Sequence, residues 1–430
     1  MKSVAAIEVR IWEQRVGAVA LDPRLGYYAF AYAPEWRRGG VELAPLTLPL
    51  HAPQDVFIFP NLPEATFNRL PGLLADALPD AFGNALIDAW MAKQGIARNE
   101  ITALDRLAYM GKRGVGALEF RPEHGSHRES SAALDLKSLV EEARKLVEGN
   151  LSVDREAQAA LANILRVGTS AGGARAKAVI AWNPETNAIR SGQFDAAPGF
   201  EPWLLKFDGV GRDLELGTGA DYGRTEYAYS LMAKAAGIEM MPCRLLEESG
   251  RAHFMTRRFD REVIEGRTLK HHLQTLCAID HLDFRQRGTH AYAQLFQVIE
   301  RLKLGDDALD QAFRRMAFNV MARNCDDHTK NFSFLMKQGQ PWQFAPAYDV
   351  THAYNPKGEW TYQHLMSVNG KFDGITREDL LEEADRFMVR RPKDLLADVR
   401  AVIENWPSFA KEAGLRDATR DRVAADFRLV

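Results

Sequence analysis

Cysteine is scarce: the 430 residues contain three, Cys243, Cys277 and Cys325. Thiols so few and so scattered exclude a disulfide framework and a cysteine-based zinc site, and they suit a reducing compartment. No apolar run approaches the roughly 20 residues of a membrane span. The opening residues, Met-Lys-Ser-Val-Ala-Ala-Ile-Glu-Val-Arg, place charge too early for the apolar core of a signal peptide. A cytoplasmic chain with no membrane role is the expectation. An excess of positive charge is also missing, since 55 Lys and Arg face 58 Asp and Glu. Without a global basic field, nucleic acid would be contacted locally or through a partner. There is no internal repeat. The apolar share is an ordinary 46%, and the length predicts two or three domains.

Short strands are predicted over 4–12, 15–21 and 27–32, with turns at Asp22-Pro23 and Gly26. Helical spacing follows over 70–78, over 81–94 with Asp80 as N-cap, and over 101–110; a strand is expected over 115–120. The stretch 123–132 is polar and aperiodic and reads as a linker; His124 and His127, with Glu123 and Glu129, belong to a solvated loop rather than a metal site. Helices are expected over 136–146, 155–165 and 225–236, the last closed by Gly237, and strands over 178–182, 203–208 and 253–259. From Ala291 the pattern is mainly helical, broken by strands over 332–336 and 342–344. Segments 1–122, 123–265 and 266–430 are the expected domains.

Between an apolar helical run and an apolar strand lies Arg-Asn-Cys-Asp-Asp-His-Thr-Lys-Asn-Phe-Ser, residues 323–333. Asp326 and Asn331 have the five-residue spacing of a protein-kinase catalytic loop, in which the Asp takes a hydroxyl proton and the Asn holds magnesium. Lys330 can neutralise a transferring phosphoryl group. The alternative is a polar helix cap and turn. Asp349, in Ala-Pro-Ala-Tyr-Asp, follows at the place of the second magnesium ligand, or else it caps a helix over 350–354.

Upstream, Lys206 ends the apolar Trp-Leu-Leu-Lys and reads either as a phosphate-binding lysine paired with a carboxylate such as Glu226 or as a snorkelling strand-edge residue. Gly-Thr-Ser-Ala-Gly-Gly-Ala-Arg-Ala-Lys, 168–177, is the most glycine-rich loop; its amides and cations suit phosphates, though a plain turn also explains it. In Arg-Arg-Phe-Asp-Arg, 257–261, an ion pair is expected between Asp260 and Arg261, with the backbone of Arg257 to Phe259 facing a nucleobase.

In this order, these motifs and Tyr-Asp-Val resemble the HipA family of bacterial serine/threonine kinases, the toxins of type II toxin-antitoxin pairs. Gly72-Leu-Leu-Ala-Asp-Ala-Leu-Pro-Asp80 and Gly111-Lys-Arg-Gly-Val-Gly-Ala117 extend the resemblance over nearly the whole chain. It implies an α+β, two-lobed kinase-like fold with a β-rich N-terminal subdomain and a mainly helical C-terminal lobe, ATP and Mg2+ lying between the lobes. It makes Asp326 the catalytic base assisted by Lys330, Asn331 and Asp349 the metal ligands, and Lys206 the ATP-phosphate ligand. Thr169, Ser170, Ala171, Gly172, Gly173, Lys177, Arg257, Phe259 and His328 would complete the nucleotide site. Ser170 would be an autophosphorylation site that switches the kinase off, its phosphate repelling those of ATP. Two departures from the family pattern stand out: Arg175-Ala176 in the glycine-rich loop, and Asp327 where glycine is frequent.

The resemblance further implies a small HipB-like helix-turn-helix antitoxin, acting as a dimer and carrying the contact with operator DNA, which would bring the complex to the nucleoid. The implied target is a translation component such as an aminoacyl-tRNA synthetase, with growth arrest and persistence as the outcome. A small-molecule phosphotransferase and an inactive kinase-like corepressor are the competing readings.

Overall fold

A computed structural model describes residues 4–124, 134–148, 176–193, 195–210 and 221–430. The expected helix at 155–165, most of the linker, and Thr169, Ser170, Ala171, Gly172 and Gly173 lie outside them. The chain forms a mixed α and β architecture in two compact units, which interleave along the sequence. One takes 1–211, 258–283 and 335–340; the other takes 212–257, 284–334 and 341–430.

In the first unit, β1 (Ala6–Ile11), β2 (Gln14–Asp22), β3 (Tyr27–Tyr32), β4 (Val56–Phe57) and β5 (Leu118–Arg121) form an antiparallel sheet in the order β4-β3-β2-β1-β5. Alternation dictates which face is buried: Ile7, Val9 and Ile11 are inaccessible, while Glu8 and Arg10 pair at 2.8 Å on the other face. Gly17 is required in β2, because a Cβ there would lie 2.2 Å from the Ala31 carbonyl oxygen. The expected helix over 70–78 shrinks to one turn, Gly72–Ala75, bounded by Pro71 and Pro79. Its leucines are buried all the same.

Asp80 does cap α1 (Ala81–Lys93), accepting the Gly83 N–H at 2.7 Å. α2 (Ala103–Met110) opens on a reciprocal capping box between Thr102 and Asp105, and Asp105 also accepts the Val4 N–H at 2.9 Å. α3 (Leu136–Glu148) leads to an antiparallel set with β6 (Lys177–Trp182) between β7 (Ile189–Ser191) and β8 (Glu201–Lys206). Trp182 and Trp203 meet edge to face across it at 5.5 Å.

In the second unit, α4 (Tyr222–Ala235) packs on the hairpin β9 (Cys243–Glu248) and β10 (Arg251–Arg257). The approach is so close that a Cβ at Gly223 would sit 1.9 Å from the Ala252 carbonyl oxygen. Gly237, at φ +78, closes α4 as its position predicts. The helices α5 (Tyr292–Arg301), α6 (Asp306–Met321), α7 (Arg377–Arg386), α8 (Pro392–Glu404), α9 (Trp406–Glu412) and α10 (Asp417–Asp426) supply most of the rest. α6 runs through the core: Phe313, Met316, Ala317 and Phe318 are fully buried. Each large side chain of this kind contributes about 1.5–3 kcal/mol by leaving water. Tyr229 of α4 packs against Phe318 and Trp406, and its hydroxyl donates to the Ala322 carbonyl at 2.6 Å, satisfying the end of α6.

Candidate active site

α6 ends before the motif begins. Ala322 is its C-cap, Arg323 turns the chain at φ +55, and the Asn324 amide donates back to the Asn319 carbonyl at 3.0 Å. The helix cap and turn of the alternative reading are therefore completed by 322–324, and Asp326 to Asn331 is a separate structure. Cys325 and Ala353 then exchange the chain's direction: the Cys325 amide donates to the Ala353 carbonyl at 3.0 Å, and the Ala353 amide donates to Arg323 at 3.2 Å. Residues 350–354 are irregular, with a single bridge at Ala353, and not helical, so Asp349 caps no helix there. It adopts a left-handed backbone, φ +54, a conformation few non-glycine residues take without a local reason.

The five-residue spacing of Asp326 and Asn331 has a direct structural expression. A single 3-10 turn, Thr329–Asn331, brings the Asn331 side-chain amide back onto the Asp326 carbonyl at 2.6 Å. Its Nδ2 is committed to holding the loop, and its Oδ1 has no protein partner among the described residues. A neutral oxygen held this way suits a hard cation, and magnesium is ordinarily held by one or two side-chain oxygens together with phosphates and waters. The Asp326 side chain is half exposed, 49%, with His328 Nε2 3.8 Å away. Lys330 lies with Nζ 4.8 Å above the Phe284 ring, which the His328 ring also meets edge to face. Tyr348 donates its hydroxyl to the Lys330 carbonyl at 2.6 Å, so the residue before Asp349 is fastened to the loop carrying Asn331.

Asp327 plays the opposite part. It is 1% exposed. One carboxylate oxygen accepts from the Tyr292 hydroxyl and faces His364 Nδ1, both at 2.8 Å, and the other accepts the Leu365 N–H at 2.7 Å. Burial alone would push the His364 imidazole down, but the Asp327 charge overrides it and raises the group to about 10. Asn319 extends the network by donating to the Tyr292 hydroxyl and accepting from Asn324, each at 2.9 Å. Behind the loop a cavity of about 20 Å³, room for one water, is lined by Arg315, Asn319, Asn324, Asp327 and Asn331 among others. Spacing to Asn331 separates Asp326 from Asp327 in the sequence, but the Tyr292 and His364 partners, 35 and 37 positions away, leave no local signal.

In the first unit, antiparallel pairing sets Lys177 of β6 directly opposite Lys206 of β8. Like charges so placed repel unless neutralised. Lys177 is buried and has Asp80 Oδ2 at 3.2 Å, so the helix-capping carboxylate also holds this lysine. Lys206 is half buried at the strand end. Asp260 and Arg261 form the expected ion pair, at 2.8 Å, and more besides. Arg258 clamps Asp260 through two bonds of 2.9 and 2.7 Å, Gly116 donates its N–H to it, and Arg261 donates to the Gly114 and Gly116 carbonyls. Burial would raise the Asp260 carboxyl, but the two guanidinium groups hold it far below its usual range; Arg261 is lowered by burial to about 10. The glycine-rich 111–117 segment is thus fixed by buried charge. The Arg257 and Arg258 amides donate to the carbonyls of Pro242 and Pro202, so those two donors are occupied, and Phe259 is half buried beside them.

Among the described residues no group of three or more His, Cys, Asp or Glu side chains could hold a metal ion. No described helix is long and apolar enough to cross a membrane.

Two family models match, the HipA N-terminal domain over residues 7–121 and the HipA-like C-terminal domain over 169–422. The chain is 21% identical over 420 residues to the serine/threonine-protein kinase toxin HipA of Shewanella oneidensis, covering 90% of this chain and 88% of that protein. Its fold is similar to a chain from the solved complex of HipA, HipB and operator DNA of Shewanella oneidensis MR-1, with a TM-score of 0.65, 18% identity and coverage of 97% and 94%. The chain belongs to the HipA family.

Proposed function

We propose that the protein is an ATP-dependent serine/threonine protein kinase and the toxin of a toxin-antitoxin pair. The observation that carries this reading is the closure of the 326–331 loop, in which Asn331 holds the Asp326 carbonyl while the Asp326 carboxylate stays half exposed. In the proposed reaction Asp326 accepts the proton of a serine or threonine hydroxyl. The hydroxyl oxygen forms a bond to the γ-phosphorus of ATP as the bond to the β,γ-bridging oxygen breaks, and ADP departs. Lys330 stabilises charge on the group in transfer, with Phe284 restricting where its ammonium can go. Lys206 takes the ATP phosphates from the end of β8, opposite Lys177, which Asp80 neutralises.

Asn331 and Asp349 would hold Mg2+, which would offset the negative charge of the ATP phosphates. His328, Arg257 and Phe259 complete the nucleotide site. Ser170 is the site of autophosphorylation, with Thr169, Ala171, Gly172, Gly173 and Lys177 contributing to its loop. The similarity to a HipA chain solved with HipB and operator DNA supports a small antitoxin partner that carries the DNA contact. A translation component, such as an aminoacyl-tRNA synthetase, is the proposed target.

Labelled ATP incubated with the full-length protein tests the reading. Wild type labels itself or a protein in extract, Asp326→Ala does neither, and Ser170→Ala loses the self-label. Absence of transfer and of Mg-ATP binding by the wild type would sink it.

A further inference from the structure

Asp327 stands where the family often has glycine, and the structure gives this carboxylate a task. It is buried in the loop that carries Asp326, and its partners come from two other parts of the same unit: Tyr292 from α5, and His364 with the Leu365 amide from the 361–367 segment. A glycine could make none of these contacts. His364 itself is 1% exposed on its side chain, and its other ring nitrogen, Nε2, faces Cys325 Sγ at 3.8 Å. The imidazole thus touches the loop on both sides of Asp326, through residue 325 and residue 327.

We propose that His364 is a positioning residue for Asp326: its ion pair with Asp327 and its contact with Cys325 hold the loop so that the intervening carboxylate faces outward to the reacting hydroxyl. The inference rests on the kinase reading and adds to it a residue that touches neither ATP nor acceptor. Four contacts converge here, those of Asp327 with Tyr292, His364 and the Leu365 amide and that of Cys325 with His364, and a fifth, the Asn331 bond to the Asp326 carbonyl, closes the loop from the other end. The titratable groups facing His364 are Asp327, Cys325 and, through Asp327, Tyr292. All of these contacts are made by the protein's own side chains and backbone, which is what holding a reacting carboxylate in place requires.

The test uses the full-length protein, γ-labelled ATP and a serine/threonine peptide library. His364→Gln removes the cation but leaves Asp327 charged and buried, so it is paired with the double variant His364→Gln/Asp327→Asn, which is neutral. Both lower kcat by about 10 to 100-fold, the loss expected for a reacting group displaced by about 1 Å, while KM for ATP stays within about twofold. The double variant loses no more than His364→Gln alone, because both break the same contact. Hydrogen exchange at the 325–331 amides rises in both variants ahead of the rest of the unit. Variants that fold, with kcat and loop exchange both at the wild-type level, would overturn the inference while leaving the kinase reading intact. A wild type that neither binds nor turns over Mg-ATP would overturn both.

Discussion

His364 Nδ1 lies 2.8 Å from Asp327 Oδ2, a buried imidazolium-carboxylate contact directly beside the residue we assign as catalytic base. The proton on His364 is bound more tightly in the folded chain, at about 10, than in an unfolded one, where histidine titrates at about 6.5. The stability this contact contributes is therefore complete below about pH 6.5 and is lost as pH rises toward about 10. Urea midpoints measured from pH 6 to pH 10 should fall, and the part of that slope due to His364 should vanish in His364→Gln.

The charge cluster under the 111–117 segment predicts a larger loss. Asp260→Ala leaves Arg258 and Arg261 buried without their shared carboxylate, at a cost of about 3–5 kcal/mol. Equilibrium denaturation should show it as a lower midpoint, with the exchange of the Gly116 amide, which Asp260 accepts, rising in parallel.

The two opposed lysines should behave differently. Lys177→Met removes the cation beside the buried Asp80 carboxylate and lowers stability, and adding Asp80→Asn should recover part of the loss. Lys206→Met should instead weaken Mg-ATP binding by about tenfold or more, roughly the worth of one charge-assisted contact. Titration calorimetry beside a thermal melt separates the two outcomes.

Gly223 predicts a purely steric effect. An added methyl would meet the Ala252 carbonyl oxygen at 1.9 Å, so Gly223→Ala should force α4 away from β10 and cost about 1–3 kcal/mol. A thermal melt reads it directly.

Much of this arrangement was legible from residues alone, and where it was not the reasons are physical. Period-two alternation located β1 to β3, and strong local signals located Asp80 as a cap and Gly237 as a stop. The helix over 70–78 failed because burial on all sides imitates periodicity while Pro71 and Pro79 limit the backbone to one turn. The alternative of a helix after Asp349 failed because Ala353 is recruited to pair with residues 323 and 325, a tertiary demand no local pattern encodes. The same holds for Asp327: its spacing to Asn331 set it apart from Asp326, but its role depends on Tyr292 and His364. Lys177, read as a cation of the glycine-rich loop, is instead the first residue of β6, buried beside Asp80, a partner no local pattern encodes.

The central claim is that Asp326 takes the proton in a phosphoryl transfer. The most direct measurement is the rate of label transfer from ATP at saturating Mg-ATP by wild type and by Asp326→Asn, with ATP affinity measured on both. The account predicts a loss of about 100-fold or more in rate, the usual worth of a general base, with ATP affinity within about threefold. Equal rates for the two proteins would contradict it.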